Sequence, residues 1–222
     1  MQISAEFVTS AAGAGDFPRD RLVELAMVGR SNVGKSSLIN ALARQKVART
    51  SAAPGKTRLA NFYRVQRGTG PKTYLVDLPG YGYARGGDAS AVEFRRLTEA
   101  YFARAHSGSG IRDSGFEQRV QSPEPRIQEG LGLRIGVLLL VDSRHPGLQS
   151  DLEAWRWLQQ QPCPCGVIGT KVDKLTRAER ARHSRELESC FDIPVPLVSA
   201  ETGEGLEELW KLIVTLPNQT AA

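Results

Sequence analysis

Gly29-Arg30-Ser31-Asn32-Val33-Gly34-Lys35-Ser36 decides the fold of this 222-residue chain. An apolar strand (residues 23–28) runs into the octapeptide and a helical run (37–43) leaves it. Two spaced glycines, then Lys and a hydroxyl side chain, between a strand and a helix, spell a phosphate-binding loop. Gly29 and Gly34 let the backbone bend so that the N–H groups between them converge on a β-phosphate, beside a helix N-terminus that favours anions. Lys35 is expected to reach the β- and γ-phosphates, and the Ser36 hydroxyl to ligate Mg²⁺. The expected ligand is a nucleoside triphosphate.

The base is read further along. Residues 166–169 are another apolar strand, and the loop after it carries Thr170-Lys171-Val172-Asp173. This resembles the guanine-specificity motif Asn-Lys-x-Asp. The Asp173 carboxylate can accept from guanine N1–H and the 2-amino group. Adenine lacks both donors and would leave a desolvated carboxylate unpaired, at about 1–3 kcal/mol or more. Lys171 would lay its alkyl stem across the base. Thr170 stands where Asn is usual, so a weaker loop-bracing hydrogen bond is expected there. Val198-Ser199-Ala200, after a strand at 194–197, resembles the companion loop whose Ala200 N–H meets guanine O6.

Between these lies a triphosphate sensor. The strand 73–76 ends in Asp77-Leu78-Pro79-Gly80, an Asp-x-x-Gly switch. There Asp77 would hold Mg²⁺ through a water and the Gly80 N–H would bond the γ-phosphate. Upstream, the polar loop Gly55-Lys56-Thr57-Arg58-Leu59 offers Thr57 as the second hydroxyl ligand; Thr50 is the alternative, with no Gly before it to let the loop close. The expected metal ligands are therefore Ser36, Thr57 and Asp77, and the catalytic set Lys35, Thr57 and Gly80. Loss of the γ-phosphate would release both segments. Tyr81 occupies the place of a water-orienting Gln and lacks its paired donor and acceptor, so slow intrinsic turnover is expected, with acceleration from a partner.

Strand signals at 23–28, 62–65, 73–76, 135–141, 166–169 and 194–197 alternate with helical runs at 37–43, 91–105, 151–160, 177–190 and 206–216. Such alternation specifies an α/β fold with a mostly parallel sheet. The run 135–141 is continuously apolar, as a strand covered on both faces should be. With 41% apolar residues the chain can bury one core, so one domain is the default. No run is long enough to cross a bilayer and no signal sequence is seen, so a cytoplasmic protein is expected. Cys163, Cys165 and Cys190 lack metal or redox spacing and read as inert thiols. His145 reads as loop-structuring rather than catalytic.

Several motifs recur together in one family. They are Ala5-Glu6-Phe7-Val8-Thr9-Ser10, the run from Gly29 to Asn40, Pro54-Gly55-Lys56-Thr57, Asp77-Leu78-Pro79-Gly80-Tyr81-Gly82-Tyr83-Ala84 and Asp142-Ser143-Arg144-His145-Pro146. The chain resembles the EngB GTPases of the Era-related class over nearly its whole length. That resemblance implies a three-layer G domain at 23–216, its mostly parallel six-stranded sheet flanked by helices. An N-terminal extension (1–22) would pack on it, with a short tail at 217–222. It also implies GTP hydrolysis, a role in large ribosomal subunit assembly, and a link to cell division and septation; a monomer is the expected state, although the sequence does not fix it. Asn32 matches a position that in some Era-related GTPases helps bind K⁺. The Gly/Ser/Pro-rich stretch 106–132 is an insertion the family pattern does not require, and its composition favours disorder.

The charge is modest overall, +5, but unevenly placed. Residues 25–76 contain no Asp or Glu, whereas Arg30, Lys35, Arg44, Lys46, Arg49, Lys56, Arg58, Arg64, Arg67 and Lys72 supply ten positive charges. A basic surface around the first switch suits a phosphate backbone, or is a solvated face that balances the acidic remainder of the chain; the family resemblance makes ribosomal RNA the expected partner. The stacking aromatics available nearby are Phe62, Tyr63 and Tyr74. The competing reading is a regulator that binds division proteins according to its nucleotide state.

Overall fold

The computed structural model describes residues 2–49, 59–81, 87–106 and 133–219. In chain order the elements are β1 (Ile3–Ala11), β2 (Val23–Gly29), α1 (Lys35–Ala43), β3 (Ala60–Arg67), β4 (Thr73–Asp77), α2 (Gly87–His106), β5 (Ile135–Asp142), α3 (Gln149–Leu158), β6 (Cys165–Thr170), α4 (Arg177–Phe191) and α5 (Leu206–Thr215). The six strands form one sheet in the order β1-β3-β4-β2-β5-β6. β4, β2, β5 and β6 are mutually parallel, while β3 pairs antiparallel with both β4 and β1 and is the one reversed strand among the described residues. The sheet is therefore mostly parallel, as expected.

Its apolar residues divide by strand period into two cores. Ile135, Val137, Leu139 and Val141 of β5 face Tyr101 and Phe102 of α2, Trp155 and Leu158 of α3, and Leu187 and Phe191 of α4. Leu138 and Leu140 face the other way, toward Leu38, Ile39 and Leu42 of α1 and Leu209, Trp210 and Ile213 of α5. All eight residues of β5 are buried, which explains its unbroken apolar run. Each helix layer covers one face of the sheet, giving the three layers.

The sixth strand is not the one the sequence suggested. Residues 194–197 make only an isolated bridge, Leu197 to Gly169, with Gly169 N–H donating to the Pro196 carbonyl at 2.9 Å. Pro194 and Pro196 have no N–H to give, so a ladder cannot continue there. The sixth strand is instead β1, at the opposite edge of the sheet, from the segment read as an extension; it pairs with β3 along its length. A register shift between Phe7 and Thr9 breaks the two-residue period of β1 and hid it. At the other end, Leu216 and Pro217 are buried in a 3₁₀ turn. Among the described residues no helix is long and apolar enough to cross a membrane.

Candidate functional site

The strand-to-helix turn at 29–36 lies where β2 ends in the middle of the sheet. Gly34 has φ +111°, a conformation that L side chains rarely adopt, and it caps α1. Gly29 is extended rather than bent; its contribution is room, because a Cβ there would sit 2.7 Å from the Leu140 carbonyl oxygen. Asn32 takes the left-handed region (φ 64°), which Asn tolerates better than most residues. Its side chain is exposed and makes no hydrogen bond among the described residues.

Lys35 is buried, with its ammonium donating to the Gly29 carbonyl at 3.1 Å. Burial lowers its pKa and Asp77 partly restores it. The Ser36 hydroxyl donates to Asp77 Oδ2 at 2.9 Å, joining the phosphate loop to the end of β4. Burial raises the Asp77 pKa, against the pull of Lys35 and Ser36. Asp77 Oδ1 is buried with no hydrogen-bond partner among the described residues. A hydroxyl and a carboxylate oxygen side by side, with a second carboxylate oxygen unsatisfied, fit a hard divalent cation such as Mg²⁺. The expected contacts from Gly55, Lys56, Thr57 and Arg58, and the alternative Thr50, lie outside the described residues, as do 82–86 and 107–132. Leu59 is described and exposed.

The loop at 170–173, expected to read the base, meets the loop at 29–36 directly, and the loop at 198–200 meets the loop at 170–173 in turn. Lys171 (φ 62°) donates from its ammonium to the Asn32 carbonyl at 2.7 Å and to Asp142 Oδ2 at 2.9 Å. The Thr170 hydroxyl reaches the Val33 carbonyl at 2.8 Å, with the Val141 carbonyl at 3.1 Å. Thr170 thus braces the loop where Asn was expected to do it better. Asp173 Oδ1 accepts from the Ser199 hydroxyl at 2.6 Å, and Lys174 pairs with Oδ2 at 3.1 Å. The Ser199 bond leads the causes that lower the Asp173 pKa. Ser199 also accepts from the Glu201 and Thr202 N–H groups, shaping the turn that carries Ala200, and Val198 is wholly buried behind it.

Three residues of this arrangement had no role assigned from sequence. Asp142 is held between Arg144 and Lys171. Burial opposes its ionisation, but hydrogen bonds from those two side chains keep its carboxyl well below the usual range. A carboxylate closing an otherwise apolar strand was the available signal. Asn40 pins the root of the first switch: its Oδ1 accepts from Val47 and Ala48 N–H and its amide donates to the Ala48 carbonyl. Asp151, in the first turn of α3, accepts the Tyr81 hydroxyl at 2.9 Å, and no linear signal marks it. Burial raises the Asp151 pKa, with Tyr81 and Arg30 opposing.

His145 is exposed and contributes a backbone turn, its N–H donating to the Asp142 carbonyl. Cys163 is buried and its thiol is pushed up to about 12 by burial. The basic segment is thinner than its count of charges. Arg64 pairs with Glu6, Arg67 with Glu207, and Arg30 approaches Asp151. Lys46, Arg49 and Lys72 have no carboxylate at ion-pair distance among the described residues, while Lys56 and Arg58 fall outside them. Phe62, Tyr63 and Tyr74 are buried and cannot stack on a base; the exposed aromatic nearby is Phe7.

Comparison with known proteins agrees with this geometry. A family profile described as a 50S ribosome-binding GTPase matches residues 24–171. A probable GTP-binding protein EngB of Pelotomaculum thermopropionicum is 39% identical over 215 residues, covering 95% of this chain and 93% of that protein. The corresponding protein of Solibacter usitatus is 40% identical over 214 residues, covering 96% of each. Among solved structures, a probable GTP-binding protein EngB superposes with a TM-score of 0.56 at 20% identity, over 88% of this chain and 99% of that one. Era, solved with MgGDPNP and a segment of 16S ribosomal RNA, gives 0.63 at 21% identity, over 88% of this chain and 56% of Era. At these identities the structures speak for the fold.

Proposed function

The chain belongs to the EngB family of GTP-binding proteins and is a P-loop GTPase, and from that premise we propose that it is a cytoplasmic, monomeric assembly factor for the large ribosomal subunit, linked by family to normal cell division and septation. The observation that carries the reading is the tie between base loop and phosphate loop, Lys171 on the Asn32 carbonyl and Thr170 on the Val33 carbonyl. One ligand must satisfy both loops, so it joins a guanine edge to a phosphate chain.

In this reading Asp173, held ionised by Ser199, accepts from N1–H and the 2-amino group, and Ala200 N–H meets O6. The backbone at 30–34 cradles the β-phosphate. Lys35 exchanges the Gly29 carbonyl for phosphate oxygens, which favour its charged form in a buried place. Ser36, Asp77 and Thr57 would hold Mg²⁺, which would supply positive charge to neutralise the charge that develops on the phosphates. The Gly80 N–H bonds the γ-phosphate. Intrinsic hydrolysis is slow because the Tyr81 hydroxyl is committed to Asp151 and cannot orient an attacking water. Asn32, whose side chain is free of the loop, offers its amide oxygen to K⁺.

The ribosomal part is supported by the profile description and by Lys46 and Arg49 in the segment leading into the first switch, with Lys72 in the turn between β3 and β4. The local pairing of Arg64 and Arg67 keeps open a second reading, a nucleotide-state-dependent regulator of division proteins. Co-sedimentation with large ribosomal subunits or their precursors decides between them. It should be measured with a non-hydrolysable GTP analogue, GDP and no nucleotide, at two salt concentrations. Binding that needs the analogue and weakens with salt supports the assembly factor. No binding to either particle in any state rejects it in favour of the regulator.

A further inference from the structure

Tyr81, Asp151 and Arg30 form a polar cluster that none of the base- or phosphate-contacting roles uses. The Asp151 side chain is 2% exposed; its Oδ1 accepts the Tyr81 hydroxyl at 2.9 Å and lies 3.6 Å from Arg30 Nε. The three residues come from the second switch, α3 and the phosphate loop. The first and last are also joined through backbone. Arg30 and Tyr81 make a parallel bridge, and Ser31 N–H donates to the Tyr81 carbonyl at 3.4 Å. Gly80, one residue earlier, is pressed so near that loop that a Cβ would sit 2.9 Å from the Ser31 nitrogen. Leaving a buried carboxylate in place is costly unless its partners use it.

We propose that Asp151 is a positioning residue for the γ-phosphate contact. By taking the Tyr81 hydroxyl it fixes Tyr81, and through one peptide link it fixes the Gly80 N–H against the phosphate loop. This rests on the reading of Gly80 as a γ-phosphate donor. The backbone bonds set the spacing of the two segments, and the side-chain anchor on α3 removes the remaining freedom of the switch at Tyr81. A donor held in advance costs no ordering when the phosphate arrives. GDP lacks the γ-phosphate and gains nothing from the anchor, so the signature is a loss confined to the triphosphate.

Dissociation constants for GDP and a non-hydrolysable GTP analogue test this, with thermal melting as a check on folding. Tyr81→Phe and Asp151→Ala should each weaken the analogue about 10- to 150-fold, the size of one lost hydrogen bond to a charged group, while GDP stays within about twofold. Asp151→Asn, whose amide oxygen still accepts the hydroxyl, should retain most of the analogue affinity. The double variant Tyr81→Phe/Asp151→Ala should be no worse than Asp151→Ala, because both remove one interaction. Equal weakening of GDP and analogue by Asp151→Ala would overturn the proposal and leave a structural residue. So would a silent Tyr81→Phe. Gly80→Ala separates the layers. If it leaves the analogue-to-GDP ratio unchanged, the reading of Gly80 fails and the proposal with it. If it lowers the ratio while Asp151→Ala does not, the positioning role alone fails.

Discussion

Replacing Arg104 by Met should expose how α2 is held to the sheet. Arg104 reaches from α2 to Glu24 of β2, with contacts of 2.9 and 3.2 Å to the two carboxylate oxygens, and donates to the Pro18 carbonyl at 3.1 Å. The Glu24 side chain is 1% exposed, and the guanidinium stacks 4.7 Å from the centre of the Phe17 ring. Met keeps much of the stem's volume and removes the charge, so Glu24 becomes a buried carboxylate with no cation. Breaking such a pair costs about 3–5 kcal/mol. That is a large share of the roughly 5–15 kcal/mol by which a domain is stable. In urea, with a slope of about 1–3 kcal/mol per M, the midpoint should fall by at least about 1 M.

The penalty should also depend on pH. Burial already raises the Glu24 pKa above 4.5, with Arg104 pulling it back. In the variant that restraint is gone and the folded-state pKa rises further. Above the unfolded value the folded state then binds more protons than the unfolded one, so stability falls as pH rises through the window. The deficit relative to wild type should therefore be largest near pH 8 and shrink toward pH 5. Urea unfolding followed by the fluorescence of Trp155, Trp157 and Trp210 at both pH values measures it. The double variant Glu24→Gln/Arg104→Met should recover much of the loss. A penalty below about 1 kcal/mol, or one independent of pH, or a double variant no better than the single, would refute the reasoning.

Asp173→Asn should weaken GTP by about 10²- to 10³-fold and raise affinity for xanthosine triphosphate, because Ser199 directs the amide oxygen to itself and turns the NH₂ toward the base; competition binding with both nucleotides checks it. Asp142→Ala removes the carboxylate that steadies Lys171, so GTP and GDP should weaken together, by about tenfold, in contrast to the triphosphate-selective loss at Asp151; calorimetric titration with each nucleotide distinguishes them. Hydrolysis should be faster in KCl than in NaCl at equal ionic strength, and Asn32→Ala should erase the difference. Equal wild-type rates in the two salts would remove K⁺ from the mechanism.

Where a property depends on residues near one another in the chain, the sequence carried it. The phosphate loop, the Asp-x-x-Gly switch and the guanine loops were legible because backbone geometry and ligand chemistry restrict which residue types can stand at each short spacing. The core strand β5 was equally plain, since a strand buried on both faces has no polar position. Two local readings failed for local reasons: prolines stopped a ladder at 194–197, and the register shift between Phe7 and Thr9 disguised β1. What only the tertiary structure decided is the wiring between motifs. Lys171 to Asn32, Tyr81 to Asp151 and Arg104 to Glu24 join residues 139, 70 and 80 positions apart. Such pairs have no spacing rule, because chain distance does not constrain contact once a sheet brings separate strand ends together. The motifs therefore named the class of ligand, and the folded sheet determined which buried carboxylates hold the loops that carry them.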